Sequence, residues 1–346
     1  MGNFVHCNKK IHMDDGHYQG QLNKNNNLPH GKGKLFRKNG TIKYEGNWTN
    51  SKKHGHGILF SKIGLIKYVG NWTNGNKCGM GKSYFKNASI KYEGNWFDNN
   101  FHGKGMIFHE NGNIQYKGTW KKGLVHGKGI SFSKTGNKHY EGDWLDHKAN
   151  GKGILFYRSG NKKYNGYWHN SNEHGRGISY YDNNDNNKKY QGDWINGQYN
   201  GKGTFYLDNG VKQYDGEWKM GKNNGIGTSF YENGNIQYHG CFFDGYRHGQ
   251  GISFHQNRNI EYDGQWNHGI FYNDNLSITT STGLLKQDQD KLTENHCSVC
   301  LSKSRKYAFN ICGHKCLCGK CAAVFKKSNN NCCPICRVNG LIIKIY

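Results

Sequence analysis

The chain has 346 residues, a net charge of +24, 34% hydrophobic residues and a mean hydropathy of −0.96, a balance that by itself leans towards disorder. Its 14% aromatic content, with 50 glycines against 2 prolines, argues instead for many short strands joined by tight turns. No apolar run reaches the roughly 20 residues needed to span a bilayer, and the first residues lack the apolar core of a secretory signal. These features predict a soluble, intracellular, cytoplasmic chain rather than a secreted one.

The opening MGNFVHC carries the glycine of an N-myristoylation signal but has His6 where Ser or Thr is wanted. Residues 1–17 therefore read as a lead-in or cap. From residue 18 the chain repeats. Tyr-x-Gly begins at Tyr18, Tyr44, Tyr68, Tyr92, Tyr116, Tyr140, Tyr164, Tyr190, Tyr214, Tyr238 and Tyr262, at a step of 24 residues broken by two steps of 26. Two residues after each glycine stands Trp, replaced by Leu22 in the first copy and Phe242 in the tenth. Between successive tyrosines lies a Gly-x-Gly, followed three residues on by an aromatic such as Phe36, Phe60 or Tyr84.

Alternation puts Tyr44, Gly46 and Trp48 on one face of a strand, and Lys43, Glu45 and Asn47 on the other. Asn-Gly pairs at 39–40, 111–112, 209–210 and 233–234 predict two-residue hairpin turns with positive φ at both positions. The two glycines of each Gly-x-Gly are expected to face one side together and leave room for a ring from the neighbouring strand. Each repeat is then a two-stranded hairpin that buries its aromatics only by stacking on the next. The repeated histidines before Gly-x-Gly (His30, His54, His102, His126, His174 and His248) are replaced by Cys78, Asn150, Asn200 and Asn224 in other copies. That exchange fits a polar turn role better than a metal-ligand role.

The pattern YEGxW…HGxG resembles the membrane occupation and recognition nexus (MORN) repeat over residues 18–271. Copies one, ten and eleven depart from it through Leu22, Phe242 and the missing Gly-x-Gly after Trp266. The resemblance implies an all-β repeat: an elongated, single-layer antiparallel sheet of hairpins serving as an interaction arm. Because the family has been linked to phosphoinositide binding and self-association, it also implies anionic membrane lipid or protein as partners.

Charge is uneven: 37 basic and 20 acidic residues lie in 1–271, two and four in 272–295, and nine and none in 296–346. The residue inside Gly-x-Gly is Lys32, Lys104, Lys128, Lys152, Arg176 and Lys202 in six of ten copies, a basic row along one face. Glu45, Glu93, Glu141, Asp215 and Asp263, inside Tyr-x-Gly, are expected to neutralise part of it across strands. Two origins stay open at this point: an anion-binding role, or the lysine excess that AT-rich coding produces beside abundant Asn and Ile. Lysines spread over a sheet form no base-reading element, so nucleic acid is not the expected partner.

Residues 272–295 are polar and aperiodic and read as a linker with one short helix. Beyond them, residues 296–346 hold nine of the twelve cysteines, spaced Cys297-x2-Cys300-x11-Cys312-x-His314-x3-Cys318-x2-Cys321-x11-Cys333-x2-Cys336. Each Cys-x2-Cys turn can set two thiolates on one tetrahedral zinc. Eight ligands make two closed, structural Zn2+ sites per chain, with Cys316 and Cys332 left over. The spacing resembles RING fingers, and the C-terminal RING of inhibitor-of-apoptosis proteins in particular.

That resemblance implies a cross-brace, with Cys297, Cys300, Cys318 and Cys321 on one zinc and Cys312, His314, Cys333 and Cys336 on the other. It also implies a RING-type ubiquitin ligase that forms no covalent intermediate with its own residues and acts on a protein substrate. Val299 and Pro334 would dock a ubiquitin-conjugating enzyme, and Arg337 would contact ubiquitin and that enzyme together. The apolar tail GLIIKIY resembles a strand through which such RINGs form homodimers. The competing expectation is a non-enzymatic scaffold with a zinc head. Elemental analysis of the purified chain should find two zinc ions per molecule; one or none would remove the RING assignment.

Overall fold

A computed structural model describes residues 4–13, 16–183, 185 and 187–271, together with the backbone of 307–309, 315–317 and 342–344. The chain divides into two compact units, residues 1–198 and 199–346. In the first, sixteen strands from Phe4–Met13 to Lys188–Ile195 pair antiparallel, each with its neighbours in sequence. The strand Phe4–Met13 lies against Gly16–Asn23, so the N-terminal lead-in is itself a strand of the sheet. In the second, strands from Gln198–Tyr206 to Ile270–Phe271 continue the same hairpin pattern. A separate three-stranded antiparallel sheet places Tyr307–Phe309 between Lys315–Leu317 and Ile342–Lys344.

Inside a repeat, one contact organises the rest. Gly46 on Ile42–Thr49 stands opposite Gly57 on Lys52–Phe60, and the Tyr44 ring lies over both. A methyl group at Gly57 would overlap the Tyr44 hydroxyl. Tyr44 is fully buried, and its hydroxyl donates to the Asn47 carbonyl at 3.0 Å. Trp48 packs edge-on against its own Tyr44, with centroids 5.2 Å apart, and against Tyr18 of the preceding repeat, also at 5.2 Å. Its indole N–H donates to the Gly33 carbonyl at 3.1 Å.

The same arrangement recurs from Tyr68 and Trp72 to Tyr190 and Trp194 in the first unit. In the second it runs from Tyr214 to Trp266, with Phe242 in a tryptophan's place. Burying a ring of 150–250 Å² contributes about 4–6 kcal/mol at about 25 cal/mol per Å². Each strand glycine costs about 0.5–1 kcal/mol in chain entropy. The rings win, and they explain how so hydrophilic a chain folds.

Two expectations about turns and glycines need correction. The positive-φ pairs of two-residue hairpins are not the Asn-Gly pairs. They follow the tryptophan, at Asn50-Ser51 (47° and 65°), Asn74-Gly75, Asp98-Asn99 and the equivalent positions up to His268-Gly269. In the Asn-Gly loops only the glycine has positive φ, as at Gly40 (81°). The asparagine instead accepts a hydrogen bond from the amide two residues on, Thr41 N–H to Asn39 Oδ1 at 3.2 Å. The loop is therefore longer than two residues, with an Asx turn across the glycine. The glycines of Gly-x-Gly also differ in purpose: Gly55 supplies a left-handed φ of 63° at a bulge, while only Gly57 lies under the tyrosine.

At the position of Gly40 the loop 85–89 has Ala88, held at a φ of 64°. Left-handed backbone costs a non-glycine residue about 1–2 kcal/mol, partly offset by the entropy that glycine loses. Ala88→Gly should therefore stabilise the first unit by about 0.5–1 kcal/mol, read as slower hydrogen exchange of the Phe85 and Ala88 amides. Faster exchange would show that the loop does not hold this conformation.

Candidate functional site

The sheet has an aromatic face and an opposite, polar face. Lys32 pairs with Asn47 and Lys34 with Glu45, so the central residues of Gly-x-Gly project away from the tyrosine–tryptophan ladder. Lys32, Lys104, Lys128, Lys152, Arg176 and Lys202 are all exposed. In the first unit the run Lys104, Lys128, Lys152, Arg176 occupies every second strand, about 10 Å apart at about 4.8 Å per strand.

The expected neutralisation of this row is corrected. Glu45 pairs with Lys34 at 3.1 Å, Glu93 with Lys82 at 3.0 Å, Glu141 with Lys138 at 2.9 Å and Asp215 with Lys212 at 3.0 Å. None of these cations belongs to the row. The register instead sets the residue between Gly and Trp opposite each basic residue. Asp143 therefore meets Lys128 at 3.4 Å and Asp193 meets Arg176 at 3.6 Å, while Lys152 lies over the Tyr167 ring, 5.2 Å from its centroid. The unbroken register about facing glycines, Gly129 opposite Gly142, selects these partners. Such exposed pairs contribute about 0–1 kcal/mol each and leave the row accessible to anions.

Sequence reasoning passed over cations on the aromatic face. Five residues after Trp48 and Trp72 stand Lys53 and Lys77, and after Phe242 stands Arg247. Lys53 Nζ sits 5.5 Å from the Tyr44 ring and 4.8 Å from that of Trp72. Lys77 Nζ is 4.9 Å from Tyr68 and 4.6 Å from Trp96, and the Arg247 guanidinium is 4.9 Å from Tyr238 and 5.1 Å from Trp266. In the next copy Phe101 takes this position and stacks on Tyr92, with centroids 3.8 Å apart, and Val125 and Ala149 are buried there. The position closes the ladder, and the long lysine stem serves as a hydrophobic cover. Only its spacing from tryptophan could have revealed it.

Burial pushes the tyrosine phenols up, Tyr116 to about 12, so they stay protonated donors. Burial lowers Lys77 to about 8, with Lys67, Lys53 and Lys91 adding repulsion. The repeat histidines make no shared cluster: His126 reaches Asp146 at 3.4 Å, and the buried Nδ1 of His54, His102 and His174 makes no hydrogen bond. Among the described residues no group of three or more His, Cys, Asp and Glu converges to hold a metal.

The expected zinc ligands Cys297, Cys300, Cys312, His314, Cys318, Cys321, Cys333 and Cys336 lie outside the described residues, as do Val299, Pro334 and Arg337. Nearby, the strand Lys315–Leu317 runs between His314 and Cys318 and pairs with Tyr307–Phe309. The tail strand Ile342–Lys344 takes the other edge of Tyr307–Phe309, Ala308 opposite Ile343. It therefore has a partner within its own chain.

The MORN repeat family model matches ten times, at residues 18–42, 44–65, 68–89, 92–114, 116–138, 140–162, 164–186, 190–212, 214–236 and 238–254. A zinc finger of the C3HC4 type (RING finger) matches residues 293–340. No curated protein matches the chain.

Lys77 generates a pH prediction. Its folded-state pKa lies below the unfolded value of 10.5, so between these values the unfolded chain binds more protons. The contribution of Lys77 to the stability of the first unit should therefore rise as pH climbs from about 8 towards 10.5, opposed near pH 10 by the buried tyrosines, whose raised pKa favours the unfolded chain there. Amine labelling across this range should give a midpoint near 8 for Lys77, and Lys77→Met should flatten the stability rise. An ordinary lysine midpoint would mean that the amine stays hydrated.

Proposed function

Since this chain belongs to the MORN-repeat proteins and carries a C3HC4-type RING finger, we propose that it is a RING-type ubiquitin ligase whose repeats recognise a protein substrate or a membrane. The observation that carries this reading is the eight-ligand spacing from Cys297 to Cys336 inside the matched region. Seven thiolates and one imidazole suit two tetrahedral zinc sites with no open position. Zinc bound there supplies folding free energy to a short segment that has little core of its own.

The chain's own residues then work by positioning. Val299 and Pro334 present an apolar surface to a charged ubiquitin-conjugating enzyme. The planar fork of Arg337 bridges that enzyme and ubiquitin and holds the thioester in a reactive orientation. The acceptor amine comes from the substrate, so no nucleophile of this chain is consumed. Reduced thiols throughout the module suit a cytoplasmic location.

The polar face of the repeats supports recognition. The buried tyrosine and tryptophan rings lie on the aromatic side, and the basic row is exposed. Chain formation with a panel of conjugating enzymes, beside a zinc measurement on each variant, tests the ligase. Arg337→Ala should keep both zincs and lose most ubiquitin transfer. Cys297→Ala should lose a zinc and unfold the module. If the wild-type protein forms no chains with any enzyme, the protein is a scaffold with a zinc head. Full activity of Arg337→Ala would dismiss the bridging role while leaving the ligase.

A further inference from the structure

The loop Ser61–Leu65 breaks the composition of its neighbours. Its tip is Ile63, where six of the corresponding loops have asparagine and others have Thr135 and Ser159. Asn39 and Asn87 use their side chains to bind the amide two residues on, at 3.2 and 3.1 Å. Ile63 cannot do this, and Ser61 Oγ accepts from the Leu65 amide instead, at 3.0 Å. The isoleucine therefore serves no turn bond, and at 77% exposure it serves no core either. Beside it Leu65 and Ile66 are 38% and 40% exposed. Single exposed apolar residues need no explanation, but three in one hairpin tip do.

The three loops around it are rich in lysine. The register places Phe36 opposite Ile42, Phe60 opposite Ile66 and Tyr84 opposite Ile90, so three successive loops share one edge of the sheet. Residues 38–43, 61–67 and 85–91 bring Lys38, Lys43, Lys62, Lys67, Lys86 and Lys91 and no carboxylate. Lys86 and Lys91 also line an open cleft together with Phe85 and Glu110.

We propose that this edge is a membrane contact, with Ile63, Leu65 and Ile66 entering the headgroup region of an anionic bilayer while the flanking lysines bind acidic headgroups. An apolar side chain left exposed at a loop tip suits a fluid interface that closes around it, whereas a folded protein would need a matching pocket. Each nearby lysine adds attraction to an anionic surface. The site is distinct from the basic row on the sheet face. It rests on reading the repeats as a recognition surface and is independent of ubiquitin transfer.

Co-sedimentation of the full chain with phosphatidylcholine vesicles, with and without phosphatidylserine, tests it. Ile63→Asn installs the residue that six other loops carry, so folding is retained. It should weaken binding to anionic vesicles by about tenfold or more. Lys62→Ala with Lys67→Ala and Lys86→Ala should also weaken it, and should reduce its salt dependence. Lys104→Ala with Lys128→Ala and Lys152→Ala should leave it unchanged. Wild-type binding that survives Ile63→Asn but not the sheet-face substitutions overturns this site while keeping membrane recognition by the repeats. Absence of vesicle binding overturns the proposal, as does loss of a protein partner in Ile63→Asn with vesicle binding intact.

Discussion

Everything in the repeats depends on a tyrosine ring lying flat on two facing glycines. Tyr44 reaches full burial in a single sheet only because neither Gly46 nor Gly57 carries a side chain. The ring substitutes for the second layer that a sheet normally needs to cover its apolar face. Tryptophan completes the contact by touching the tyrosines of two consecutive repeats, as Trp48 does with Tyr18 and Tyr44. Its indole N–H finds a carbonyl on the glycine that the preceding repeat supplies, as Trp72 does with Gly57. Glycine content, aromatic content and the regular step are thus consequences of one packing solution.

That solution separates stability from recognition. The aromatic face is occupied by its own ladder and by the covering residues at Lys53, Lys77, Phe101, Val125 and Ala149. Residues on the polar face and in the loops contribute little to the core, so their chemistry can vary from copy to copy. Lys104, Met80 and Ile226 hold the same place inside Gly-x-Gly, and all are exposed. Asn39 and Ile63 hold the same place in a loop. Function is therefore to be sought in what differs between repeats, and structure in what does not.

The zinc module follows different physics. A short, cysteine-rich segment with nine basic residues and no acidic one matches the RING finger, a type of module that in general gains its folding energy from metal–thiolate bonds rather than from apolar burial. Ligand spacing decides its type, and the residues beside the ligands decide what it can hold. The tail strand Ile342–Lys344 pairs with Tyr307–Phe309 in its own chain.

The sequence by itself determined the repeat, the burial of tyrosine and tryptophan, the face assigned to the basic row and the presence of a C3HC4-type RING finger. Each follows from local periodicity or from ligand chemistry, which neighbouring letters encode. Tertiary structure decided which turn is which, because Asn39-Gly40 and Asn50-Ser51 both look like hairpin signals and only backbone geometry separates them. It decided that Asp143, and not Glu141, faces Lys128, because the two strands pair in register about Gly129 and Gly142. It also decided that Lys77 is a half-buried cover whose proton is held weakly. That depends on rings contributed from 9 residues before it and 19 after it, a neighbourhood that exists only once the strands are paired.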